Sequence, residues 1–195
     1  MTTLSELRTR LRQQLHDVTP LRWDDDSLDR HIAHAIEDVS QSMPRELGAA
    51  LATTTGSREV SLATLGGLID VERVEYPVRS YPPALIGFQR WGETLLLDAP
   101  VAPTGDEARI SYTVHHTVDD ESSTLTPFQE ELVVLAASAF AVIELAAASI
   151  DTLTTGGPTV PSELRAWAQA RQISFRQLLH QYGRRPAMRV RRVVA

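Results

Sequence analysis

Apolar residues recur at helical spacing near both ends of this chain and at alternate positions through its middle. Leu4, Leu7, Leu11 and Leu15 fall on one face of a first helix, with arginines and glutamines opposite. Thr3 and Glu6 stand at capping-box spacing before it, each able to satisfy the other's free backbone N–H. After a break at Val18-Thr19-Pro20, a second helix is predicted to open at Trp23-Asp24-Asp25-Asp26. Carboxylates favour the positive end of the helix dipole there, and Asp24 can cap. Leu28, Ile32, Ala35, Ile36, Val39 and Met43 form its stripe, and Pro44 ends or kinks it.

The period then changes from about 3.6 to about 2. Between Ala50 and Thr117 the chain reads as short strands separated by turn residues. Leu51–Thr55 and Arg58–Leu62 flank Gly56-Ser57, a hairpin signal. Leu68–Val78 alternates, and its Pro77 suggests a sheet edge, because proline cannot donate to a ladder. Leu85–Arg90 and Thr94–Asp98 flank Trp91-Gly92-Glu93, and Ala108–Thr117 follows the Gly105-Asp106 turn.

Helical spacing returns at Thr126-Pro127-Phe128-Gln129, which combines an N-cap, a proline at the first helical position and a capping glutamine. The helix that follows is apolar nearly all round, with Phe128, Leu132, Val133, Leu135, Phe140, Val142, Ile143 and Leu145 among many alanines. A helix with no polar face must be covered on several sides, as the centre of a bundle or as a subunit contact. Its uncharged run, Leu132–Ile143, is far shorter than the roughly 20 residues that span a bilayer, so a buried helix is expected. Thr154–Pro158 reads as a loop. A last helix runs from about Pro161 to Tyr182, with Leu164, Trp167, Ala168, Phe175, Leu178 and Tyr182 inward and Gly183 as C-cap. The expected fold class is α+β: a four-helix bundle with a small antiparallel β barrel or sandwich inserted between helices 2 and 3, plus an extended C-terminal tail. The boundaries are a helical pair at 1–48, the β module at 49–118, a second helical pair at 119–183 and a basic arm at 184–195.

Charge changes that picture at one place. Five of the 19 basic residues and none of the 25 acids lie in Gly183–Ala195, which leaves 14 arginines against 25 carboxylates before it. A short basic tail cannot bury enough apolar surface to fold alone, so it calls for a partner unless it folds back on its own body. The overall charge of −6 argues against a general nucleic-acid binder. All the basic residues are arginine, which suits bidentate contacts at interfaces. With no cysteine there are no disulfides, cysteine nucleophiles or thiolate metal sites, and the N-terminus has no apolar signal core.

Candidate chemistry is sparse. His31 and His34 share a helix face and could hold a metal, but no third ligand is identifiable, and solvated helix surface is the reading preferred. His115 and His116 are neighbours on a predicted strand and point to opposite faces. Asp24-Asp25-Asp26 is read as an acidic helix start, with a divalent-ion site as the alternative; Asp119-Asp120-Glu121 is read as a solvated loop. Nothing assembles a nucleophile, a base and an orienting group, so no enzyme, cofactor or metal is expected. Trp91 and Tyr112 are read as core, with Trp91 beside Gly92 alternatively an exposed anchor at a hairpin tip. The tail can be inert, can contact phosphates, or can dock on a protein as an extended segment. Arg189-Val190-Arg191-Arg192-Val193 partly alternates, which favours docking.

The chain resembles the head–tail adaptor (connector) proteins of tailed bacteriophages and prophages. The resemblance is carried by Leu4–Arg8, by Arg22–Leu28 leading to His31–Ala35, and by Tyr76-Pro77. Phe88–Leu95 and Leu132–Ala137 complete it, so that it spans nearly the whole chain. It implies a structural virion protein of the neck, assembled in the bacterial host cytoplasm. Such proteins form a ring, usually of twelve copies, beneath the portal. Neighbouring subunits would be lateral partners and the portal protein an axial one. Further partners would be the next tail component (a stopper, nozzle or tail tube protein) and DNA passing through the lumen without sequence-specific binding; no membrane is implied. Carried onto this chain, Arg184, Arg185, Arg189, Arg191 and Arg192 would pair with portal acids, and Met188, Val190 and Val193 would fill apolar pockets. The resemblance implies that the β module faces the next tail component, and Trp91 and Gly92 at its hairpin tip are the candidate contacts there. The alternative is a small DNA-associated protein whose Arg-rich tail binds phosphates.

Overall fold

The computed structural model describes residues 2–19, 21–152 and 160–183. The element order is α1 (Leu4–Gln14), α2 (Asp25–Ser42), β1 (Arg45–Ala52), β2 (Glu59–Ser61), β3 (Leu68–Glu75), β4 (Leu85–Trp91), β5 (Thr94–Asp98), β6 (Glu107–Val114), α3 (Pro127–Thr152) and α4 (Val160–Tyr182). The described residues form two compact units, one from those up to Met43 together with His116–Gly183, the other from Pro44–His115.

In the helical unit the caps are those the sequence predicts. Thr3 Oγ1 accepts from the Glu6 N–H and Glu6 Oε2 from the Thr3 N–H at 3.1 Å. Asp24 Oδ1 accepts from the Ser27 N–H at 2.7 Å. At the start of α3, Gln129 Oε1 accepts from the Thr126 N–H at 2.8 Å and Thr126 Oγ1 from the Gln129 N–H at 3.4 Å. Each cap satisfies donors that the first helical turn would otherwise leave bare.

The four helices are not a four-helix bundle, contrary to the expectation. They do not share one central core equally. The 26-residue α3 is the hub, with α2 and α4 packed along it. α1 has 11 residues, too short to run beside the whole of α3, and it meets α2 and the first part of the hub. α2 and α4 barely touch, and a hydrogen bond from Arg171 to the Gln14 side chain links α4 to α1. The physical reason lies in α3. Leu132, Val133, Val134, Ala136, Ala137, Ala139 and Ala141 are all buried around its circumference, so the other helices wrap it rather than face one another. By length and composition Pro127–Ala148 is apolar enough to cross a membrane, and more than half of its most apolar stretch is buried inside the protein.

The inserted β barrel or sandwich is also corrected. Among the described residues the strands form one antiparallel sheet of order β1-β6-β3-β4-β5-β2, curled as a half-barrel, with no ladder joining β1 to β2. Its apolar side holds Val60, Leu62, Val71, Val74, Leu95, Leu97, Ala108, Ile110 and Tyr112. Register shifts between Leu68 and Asp70 and between Val71 and Arg73 bend β3 against β6. The Gly56-Ser57 hairpin does not form: β1 pairs with β6 and β2 with β5. β1 begins at Arg45, earlier than the sequence boundary at 49. Pro77 marks no edge, since β3 ends at Glu75 and lies between β6 and β4.

Candidate interaction surfaces

The β4–β5 hairpin closes with a two-residue loop. Trp91 pairs with Thr94, leaving Gly92 and Glu93 in the turn. Gly92 has φ +59° and Glu93 is not in the left-handed region, the pattern of a turn that needs glycine first and matches the twist of the flanking strands. Arg90 braces the tip, its Nε donating to Gly92 O at 3.0 Å and its Nη1 to Ile69 O at 2.7 Å. Trp91 is 70% exposed, so the core reading fails for it, while Tyr112 is buried. Register places Leu96, also exposed, diagonal to Trp91 on the same side of the sheet, beside Gln89 and Glu59. The result is an aromatic and an aliphatic side chain held outward by a braced turn.

A second apolar surface lies on the helical unit. Phe128, in the first turn of α3, meets Tyr182, in the last turn of α4, edge to face at 5.0 Å between ring centres. Phe128 remains 40% exposed and Tyr182 53%. Trp167 carries the Arg171 guanidinium 4.5 Å above its ring and, like Ile173, is exposed. Trp167 and Tyr182 therefore do not face fully inward as the periodicity predicts. α4 packs on α3 by a narrow strip, with Ala168 and Phe175 buried, and carries apolar bulk beside that strip. The arm residues Arg184, Arg185, Met188, Arg189, Val190, Arg191, Arg192 and Val193 lie outside the described residues, as does the Thr154–Pro158 loop.

The polar clusters do structural work. The three aspartates at the start of α2 hold no open pocket of acids. Asp24 caps, and Asp25 accepts from Arg12 Nη2 at 2.6 Å and from Arg8 Nη1 at 3.3 Å. Those bonds, Arg12's first, hold the Asp25 carboxyl below its ordinary range. Arg12 is itself buried and also donates to Asp17 Oδ2 and Trp23 O, which pins the turn between α1 and α2. Asp119 accepts from the Glu121 and Ser122 backbone N–H groups and is likewise held low.

His31 is not solvated surface. It is 6% exposed, its Nε2 has no hydrogen-bond partner, and Glu144 Oε2 from α3 lies 3.3 Å away. Burial holds the ring below its usual titration range, opposed by the Glu144 charge. Arg30 donates to both oxygens of Glu144 at 2.9 Å, and His34 stacks on Phe140 at 4.4 Å. The two imidazoles therefore have separate neighbours, and no group of three or more candidate metal ligands occurs among the described residues.

His116 is the residue sequence reasoning missed. β6 ends at Val114, so His115 and His116 do not alternate on a strand. His116 is buried in the helical unit, its Nε2 2.9 Å from Met43 O and its Nδ1 3.1 Å from Thr124 O. The Ser40 hydroxyl accepts its backbone N–H at 2.9 Å, and Gln129 Nε2 donates to Met43 O at 3.2 Å. This network ties the end of α2 to the start of α3, where the chain leaves and re-enters the helical unit. Its one sequence signal was a histidine beside a change of period.

Comparison with protein-family models and with curated proteins finds no match to this chain.

Proposed function

We propose that the chain is a structural virion protein, a head-to-tail adaptor that forms a ring under the portal and links it to the tail. In this reading the C-terminal arm docks on the portal, and Trp91 and Gly92 contact the next tail component. The observation that carries the reading is the exposed Phe128–Tyr182 pair, where the start of α3 meets the end of α4 directly before Gly183 and the basic arm that follows it in sequence. Exposed aromatic residues grouped on one helical unit suit a protein partner, because they lose water-exposed area on docking. The braced Trp91 tip supports a second contact, since rigid aromatic anchors bind at low entropic cost. The wish of an all-apolar helix for lateral partners no longer supports the ring, since α1, α2 and α4 already cover α3. That support passes to the exposed residues of α4.

The test is binding of the full chain, and of the chain cut after Gly183, to purified rings of the cognate portal protein. Retention of the full chain alone is the expected result. Failure of both forms to bind, together with retention of the full chain on duplex DNA and steep loss with salt, would replace the adaptor with a phosphate-binding protein.

A further inference from the structure

We infer that the β1 edge of the sheet is a strand-docking site, and that its occupant is this chain's own C-terminal arm, added parallel to β1. The inference concerns the free chain and goes beyond the adaptor reading: the arm lies on β1 until a partner takes it, and its test needs no portal.

Among the described strands, β1 is the longer of the two edges of the sheet. It pairs with β6 along one side over its full length, Arg45 to Ala52, and no described strand pairs with its other side. The opposite edge, β2, has three residues. An eight-residue edge of this kind is a template for another strand, which proteins normally cover or blunt. β1 carries little to blunt it. After Arg45 and Glu46 it reads Leu47-Gly48-Ala49-Ala50-Leu51-Ala52, without charge or proline. Leu47, Ala49 and Leu51 belong to the apolar cluster of the sheet yet stay half-buried. An added strand would cover Leu47 and Ala49 further.

The root of the arm fixes the occupant. Gly183 closes α4, its N–H donating to Leu179 O at 2.7 Å. It is packed so tightly that a Cβ there would collide with Leu179 O and lie 3.4 Å from Ser42 O. Ser42 is the last residue of α2, and only Met43 and Pro44 separate it from β1. At about 3.8 Å per Cα step, β1 therefore starts within about 11 Å of Ser42. The arm and β1 leave from neighbouring points, so an arm lying along β1 runs parallel to it. The same number of residues separates Gly183 from Met188 as separates Ser42 from Leu47. In that register Met188 and Val190 lie beside Leu47 and Ala49 on the apolar side. Arg189 and Arg191 then lie beside Gly48 and Ala50 on the exposed side, where small neighbours leave the guanidinium groups room, and the pairing stops there, because one residue further Arg192 would meet Leu51 on the apolar side. Pro186, which cannot donate to a ladder, falls before the paired stretch.

Two measurements test the inference. The chain has no cysteine, so Leu47→Cys with Met188→Cys gives a single thiol pair. Mild oxidation of the dilute double variant should give a monomer with an internal crosslink. Crosslinked dimers would overturn the inference by placing the arm on a second copy, and unreacted thiols would overturn it outright. Hydrogen exchange removes any dependence on the cysteine substitutions. Backbone amides within Glu46–Leu51 should exchange about tenfold faster in the chain cut after Gly183, and in full-length Val190→Pro, than in the unaltered protein. Equal protection in all three would contradict strand addition.

Discussion

His116 and His31 show how differently the same side chain serves when its neighbours change. His116 sits between two backbone carbonyls at a joint of the helical unit; in His116→Ala, Met43 O keeps Gln129 while Thr124 O loses its imidazole partner. The cost should be about 1–3 kcal/mol, read as a lower denaturant midpoint with unchanged slope. His31 acts through its protonation. In the folded chain, burial lowers its affinity for a proton relative to the unfolded chain, so the unfolded state binds more protons as pH falls through the ordinary histidine range. Stability should therefore fall as pH drops from 7 towards 5, and His31→Leu should flatten that fall. Glu144 opposes the effect, with Arg30 and His34 also facing the site; an unchanged pH slope in the variant would contradict the assignment. Trp91 is the opposite case. It is mostly solvent-exposed, so Trp91→Ala should change stability by less than about 0.5 kcal/mol while weakening contact with a tail component.

Among the elements, α3 carries the most. Leu132 is buried at its inner face, so Leu132→Ala should cost about 2–5 kcal/mol, and Leu132→Asp should prevent folding. Thr126→Ala removes one half of the capping box and should cost about 1 kcal/mol by thermal unfolding. The elements also divide by how their information is stored. Thr3 with Glu6, Thr126 with Gln129, and the Gly92 turn are contacts within three residues, and the sequence predicts all of them. β1 was predicted to start too late and to pair wrongly, because Arg45–Ala52 has weak alternation and its partner is β6, far along the chain. Gly56-Ser57 looked like a hairpin by local rules, and tertiary pairing overrode them. Pro77 suggested an edge, whereas the strand simply stops before it. The burial of His31 was illegible for the same reason: it depends on α3, which supplies Glu144.

On the scale of the molecule, the chain pairs a helical unit built around one apolar helix with an open sheet, and both expose apolar anchors. The helix count and the α+β character could be read from periodicity. The bundle and the closed barrel could not, since closure and helix packing depend on which faces meet and period alone does not specify that. The acidic charge before Gly183 and the basic arm after it give two chemically distinct parts. The most direct measurement is the mass of purified portal rings before and after addition of the full chain. A discrete gain corresponding to a closed ring of copies is the result the adaptor account predicts. A portal ring of unchanged mass at saturating protein would contradict it.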